Sequence, residues 1–170
     1  MARERHAPRK LTGRVVETIT PATIRRPFAN YSHGIVVPAG SRLLFASGQL
    51  GITAEDHIPE DAGAQAELCF RALREILRSA GMTVTDLVRI NAFVTDRAYL
   101  KPYMDARDRF VGSPPPASTL MIVSGFARPE FKVEVEVVAA GGPADSPFYG
   151  GPPRGRVPDL SQAWMTRPRD

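Results

Sequence analysis

The amino-acid sequence predicts an α+β fold, a mixed β-sheet with two helices packed on one face. Apolar residues recur at three- and four-residue steps over 61–80, and they alternate with polar ones over 87–95 and 132–139. Strand-like segments cluster at both ends of the body, with the two helical segments between them. At 170 residues the chain holds one domain of ordinary size.

Each element has a local reason. A hairpin is expected over about 15–37. Residues 42–47, Arg-Leu-Leu-Phe-Ala-Ser, form a short apolar strand that ends at Gly48. The clearest helix covers 61–80. Asp61 is placed to cap it, Cys69, Ala72, Leu73, Ile76, Leu77 and Ala80 make its apolar stripe, and Gly81 stands where a left-handed terminating residue belongs. Cys69 lies on that stripe, so it reads as a small buried hydrophobe rather than a nucleophile. A strand follows over about 87–95, with Val88, Ile90, Ala92 and Val94 alternating against Arg89, Asn91 and Thr95. The second helix, about 98–110, turns Leu100, Tyr103, Met104 and Phe110 inward, and Pro102 is tolerated near its first turn. After Pro114-Pro115-Pro116, two strands are expected over about 118–124 and 132–139.

Composition and charge remove several classes of function. Hydrophobic residues at 43% and charged residues at 24% suit a soluble globular chain. No stretch approaches the roughly 18 consecutive apolar residues of a membrane span, and the polar start lacks the apolar core of a secretory signal. A cytoplasmic setting without a membrane partner is expected. One cysteine allows no internal disulfide, and the scattered His6, His33 and His57 offer no ligand pair at helical spacing, so no metal site is expected. The net charge of +4 belongs to the arms: residues 1–14 carry +4, residues 141–170 carry +1, and the body 15–140 carries −1. A nucleic-acid partner is therefore not expected, because such a domain concentrates Lys and Arg on one face among aromatics. The tail 141–170 holds six prolines and five glycines. It reads as an irregular extension laid over the body or a neighbouring subunit through Phe148, Tyr149, Leu160, Trp164 and Met165.

The last strand sets the functional question. Val133, Val135 and Val137 share one side; Lys132, Glu134, Glu136 and Val138 share the other. Helices cover only one side of a sheet, and the other side also carries apolar residues, so the protomer is expected to associate through it. Clefts then form between subunits. Glu134 and Glu136 point the same way about 7 Å apart. They are either a solvated strand face or acids drawn into such a cleft, where a raised pKa suits one of them to hold and deprotonate a water. Tyr31, Ser32, His33, Ser47 and Gln49 are further polar groups for the same cleft.

Several segments, taken in order, resemble the reactive intermediate deaminase (RidA, YjgF-like) family over about residues 20–140. They are Asn30-Tyr31-Ser32-His33-Gly34, Phe45-Ala46-Ser47-Gly48-Gln49-Leu50-Gly51, and the helix with Gln65 and its Ala80-Gly81 end. Val94-Thr95-Asp96, Pro116-Ala117-Ser118-Thr119 and Val133-Glu134-Val135-Glu136 complete the set. The resemblance implies a fold like that of the small bacterial chorismate mutases and a homotrimer whose sheets form a central barrel with three intersubunit clefts. It implies hydrolysis of a small enamine or imine to a carbonyl compound and ammonia, with no metal or organic cofactor. By the same resemblance Glu134 positions the attacking water, Tyr31 matches the tyrosine of the family's Pro-Tyr-Ser-Gln motif and orients the substrate in the catalytic site, and Ser47 and Gly48 form the ligand-pocket turn.

Two departures matter. Ser118 stands where the family's active deaminases carry an arginine that grips a substrate carboxylate, and Met104 replaces an asparagine near the ligand. Losing a desolvated guanidinium contact costs about 2–5 kcal/mol, roughly thirtyfold to several thousandfold in affinity. The substrate is therefore expected to differ from 2-aminoacrylate. Arg128 is the nearest arginine in sequence that offers a replacement anion contact; an exposed loop arginine is the plainer reading. Two other functions stay open, a non-catalytic metabolite-binding trimer and an RNA-directed role assisted by the basic arm.

Overall fold

The computed structural model describes residues 16–142. The arm 1–14 and the tail residues Phe148, Tyr149, Leu160, Trp164 and Met165 lie outside the described residues.

Strands β1 (Glu17–Ile19) and β2 (Gly34–Val36) pair antiparallel as a separate two-stranded sheet, the hairpin expected near the N-terminus. The main sheet contains β3 (Arg42–Leu50), β4 (Leu87–Val94), β5 (Ala117–Ile122) and β6 (Val133–Gly141) in the order β3-β6-β4-β5. Helix α1 (Ala62–Ser79) connects β3 to β4, and α2 (Leu100–Phe110) connects β4 to β5. Strand β6 runs antiparallel to both β3 and β4, and β5 runs parallel to β4. The parallel pair requires a crossover, and α2 supplies it. No helix among the described residues is long and apolar enough to cross a membrane.

Helix α1 begins and ends as its sequence dictates. The Asp61 side chain accepts a hydrogen bond from the Ala64 N–H at 2.7 Å. At the other end Gly81 adopts φ 69°, the Gly81 N–H donates to Arg78 O, and the Met82 N–H donates to Leu77 O at 2.8 Å. That pair of bonds closes the helix on a glycine because the left-handed conformation strains any residue bearing a Cβ.

The core lies between the two helices and one face of the sheet. Ala66, Cys69, Phe70, Leu73 and Leu77 of α1, and Tyr103, Ala106 and Phe110 of α2, pack with Ile90, Ala92, Val94, Val133, Val135 and Val137. Phe70 stacks on Phe110 at 4.6 Å between ring centroids. Cys69 is part of this core, and burial pushes its thiol up to about 12, far from a thiolate at neutral pH.

Three expectations need correction. The strand from 42 does not stop at Gly48 but continues to Leu50 through a register shift between Ala46 and Gln49, an irregularity that period-2 patterning does not encode. The second helix is preceded by a 3₁₀ turn over 97–99, so its α-helical part starts at Leu100. Its buried residues are Tyr103, Ala106, Arg107 and Phe110, whereas Leu100 and Met104 sit at the core's margin. Arg107 was not part of the expected inner face because a charged residue enters a core only with a partner, here Asp108.

Gln65, fully buried on α1, fixes the entry into β6. Its amide donates to Pro59 O at 2.7 Å and to Glu130 O at 2.9 Å, and its carbonyl accepts from the Lys132 N–H at 2.8 Å. Replacing Gln65 with Leu strands these backbone groups, and stability is expected to fall by about 2–4 kcal/mol. A lowered denaturant midpoint at unchanged m-value checks this.

Candidate functional site

The second face of the sheet is open. Leu43 is 52% exposed, Phe45 73% and Met121 46%. With Val138 opposite Phe45 in the register, they form an apolar surface that no described element covers. A polar ladder crosses it. Asn91 Nδ2 donates to Glu136 at 2.8 Å, Arg89 Nε donates to Asn91 Oδ1 at 2.8 Å, and Arg89 Nη2 donates to the Thr119 hydroxyl at 2.7 Å. Sequence reasoning had no signal for this ladder beyond the alternation that places the three strands' residues on one side.

The ladder separates the two glutamates. Glu136 is engaged by Asn91, whereas Glu134 makes no hydrogen bond or ion pair among the described residues. Its carboxylate lies against Gly48 so closely that a methyl group there would occupy the same space. Partial burial, and then the charge of Glu136, hold the Glu134 carboxyl above its ordinary range. Ser47, on the irregular stretch of β3, lines a shallow depression with Phe45, Glu136 and Val138. Glu134, Gly48 and Ser47 thus share the open face near one edge of the sheet.

Tyr31 and Ser118 are elsewhere. Ser118 is in register with the fully buried Ile90, so its side chain turns to the helix side of β5, the opposite edge strand. The Tyr31-Ser32 segment joins the same edge: Ser32 bridges to Ala117, its N–H donates to Pro116 O at 3.0 Å, and its hydroxyl donates to Pro115 O at 2.6 Å. The Tyr31 ring meets His33 edge to face at 5.8 Å. Met104 lies next to Tyr103 on α2, partly buried against the core. Arg128 is on an exposed loop, where it pairs with Glu130 at 2.9 Å and lies over the Phe131 ring. The structure therefore places Glu134, Gly48 and Ser47 together on the open face and Ser118 on the helix side of the far edge strand, and it does not bring these two groups together within one chain. Among the described residues no group of three or more His, Cys, Asp or Glu side chains is arranged to hold a metal.

A mixed sheet with two helices on one face and an acid beside a glycine on the other defines a class that comparison identifies. The family model described as Endoribonuclease L-PSP matches residues 23–141. The RutC family protein YjgH of Escherichia coli is 31% identical over 120 residues, covering 69% of this chain and 90% of that protein. Protein DfrA of Myxococcus xanthus is 30% identical over 111 residues, covering 64% of this chain and 83% of DfrA. The crystal structure of YyfB from Yersinia pestis, described as a Rid family protein of unknown function, superimposes with a TM-score of 0.67 at 28% identity, covering 75% of this chain and 99% of YyfB. The chain belongs to the Endoribonuclease L-PSP family, the RidA/YjgF-like family that its sequence resembles.

Proposed function

We propose that the protein hydrolyses the C=N bond of a small imine, or of the imine tautomer of an enamine, to a carbonyl compound and ammonia, working as a homotrimer with its open sheet faces packed together. The observation that carries this reading is the split site. Glu134 and Gly48 lie together on the open face near one edge, and Ser118 lies on the helix side of the other edge strand, with Ser32, next to Tyr31, bridged to that strand; in the proposed trimer, unlike edges of neighbouring copies meet.

In the resulting cleft Glu134 acts as the general base. Its carboxylate holds a water, accepts one proton as the oxygen attacks the C=N carbon, and returns that proton to the nitrogen. Glu134 then takes the carbinolamine hydroxyl proton and passes it to the amino nitrogen, the C–N bond breaks, and ammonia leaves as the carbonyl forms. Tyr31, Ser118 and the Ser47-Gly48 turn orient the substrate by hydrogen bonds. Ser118 offers no charge for a carboxylate, which favours a substrate without a carboxylate at this position.

The test is ammonia release from imines generated in situ by enzymatic oxidation of neutral and acidic parent amines. Faster release than the uncatalysed rate, with the neutral imines preferred, is the expected result. A second reading, a metabolite-binding trimer without turnover, is favoured by Ser118 standing where the family's active deaminases carry an arginine. Under it, a candidate ligand raises the melting temperature and is not consumed.

A further inference from the structure

Three arginines converge on the helix side of the protomer, away from the open sheet face. A groove of about 310 Å³ lies between α1 and the last turn of α2, lined by Glu67, Phe70, Arg71, Arg74, Arg109 and Phe110. Its volume is that of a small-molecule site. Glu67, Phe70, Arg71 and Arg74 recur at helical spacing and so share one face of α1. The floor is the stacked pair Phe70 and Phe110, both part of the core. The Arg74 guanidinium lies 5.4 Å from the centroid of the Phe110 ring, an attraction that holds the cation over the groove.

The charges of this groove do not cancel. Glu67 reaches across to α2, where its carboxylate accepts from Arg109 Nε at 3.0 Å and from Nη2. It is thereby withdrawn from Arg71, its i, i+4 neighbour and the usual partner on one helix. Arg71 and Arg74 are exposed and make no ion pair among the described residues. Three guanidiniums thus face one carboxylate, in a body that carries −1 as a whole. The flanking charges are paired on their own helices, Glu75 with Arg78 at 2.9 Å and Lys101 with Asp105 at 2.6 Å. The positive charge is confined to one spot of ligand size. A nucleic-acid strand calls for a longer basic track interleaved with exposed aromatics, so a compact anion is the better fit. Guanidinium forks match phosphate oxygens, and a terminal phosphate presents three of them.

We propose that this groove binds the phosphate group of a small phosphomonoester, at a ligand site separate from the hydrolytic cleft. Arg71 and Arg74 donate to the phosphate oxygens from the α1 wall. Arg109, anchored by Glu67, donates its remaining N–H groups from the α2 wall. The helices lie opposite the open face, so the groove stays at the surface when open faces pack together.

Calorimetric titration of the full-length protein with ribose 5-phosphate and with ribose, in phosphate-free buffer, tests this. Ribose 5-phosphate is expected to bind at least about tenfold tighter than ribose. Arg71→Gln and Arg74→Gln each weaken it by about five- to fiftyfold, the worth of a charged hydrogen bond partly screened by salt. Glutamine suits a helix nearly as well as arginine, so both variants keep the fold. Glu67→Gln is expected to tighten binding by about two- to fivefold, because it removes the carboxylate that competes for Arg109. Damage to the helices does not produce that opposite sign. Equal binding of the two probes, no binding of either, or unchanged affinity in both arginine variants overturns the proposal. Tighter binding of a short single-stranded RNA, lost in the same arginine variants, also overturns it and makes the groove part of a polyanion surface. Ammonia release is not the readout, since the groove shares no residue with the hydrolytic cleft.

Discussion

Replacing Glu134 with Gln is expected to lower ammonia release by about a hundredfold to ten-thousandfold, the range over which a positioned general base accelerates a proton transfer. The side chain keeps its size, and its contact with Gly48 persists, but it no longer takes a proton from water. Glu136→Gln is expected to cost much less, because that carboxylate serves the Asn91-Arg89-Thr119 ladder. The pH dependence has a definite sign. Burial and the Glu136 charge raise the Glu134 pKa, so activity rises with pH through a limb displaced above the ordinary carboxylate range, and Glu134→Gln removes that limb. Stability runs the other way. A carboxyl whose folded pKa is raised favours the fold while protonated, and that contribution is lost as pH rises through the folded value. Glu134→Gln is therefore expected to melt slightly higher than the parent at neutral pH, with the gap closing in acid. A variant that retains full ammonia release removes Glu134 from the mechanism.

Phe45→Glu is expected to weaken self-association by about a thousandfold or more. Under the proposed packing of open faces, each copy loses the burial of a phenylalanine, worth about 1.5–3 kcal/mol, and places a carboxylate against apolar surface. The protomer itself is expected to keep its stability, because Phe45 is 73% exposed and takes no part in its own core. Activity falls with association although Glu134, Tyr31 and Ser118 are untouched. Light scattering across a dilution series, read beside ammonia release, checks both halves of this expectation. A Phe45→Glu protein that assembles and turns over normally contradicts it.

Periodicity and local chemistry made much of this fold legible. Asp61 and Gly81 bracket α1 because a cap and a left-handed terminus each need a particular residue type. The alternation Val133-Glu134-Val135-Glu136 places one set in the core and the other on the open face, as observed. Other features depend on contacts between segments distant in sequence. The register shift between Ala46 and Gln49 coincides with the close approach of the Glu134 carboxylate to Gly48, and that partner, far away in sequence, cannot be read from 42–50 alone. Arg107 enters the core on the strength of its pairing with Asp108, against the usual behaviour of arginine. Only the strand register reveals that Ser118 faces the helices and Glu134 faces away from them. Alternation alone left Glu134 and Glu136 equivalent, and the family resemblance singled out Glu134; the hydrogen bond from Asn91 to Glu136 is a physical difference between the two that only the structure reveals.

The central claim is that one working site takes residues from two copies, and subunit complementation tests it most directly. Glu134→Gln and Tyr31→Ala chains, each inactive alone, are co-expressed and purified as mixed assemblies. In a closed ring with one site at each junction, random mixing of equal amounts restores one intact pairing in four, so about a quarter of the parent activity is expected. Mixed assemblies no more active than either variant alone would place the whole site within a single chain and contradict the account.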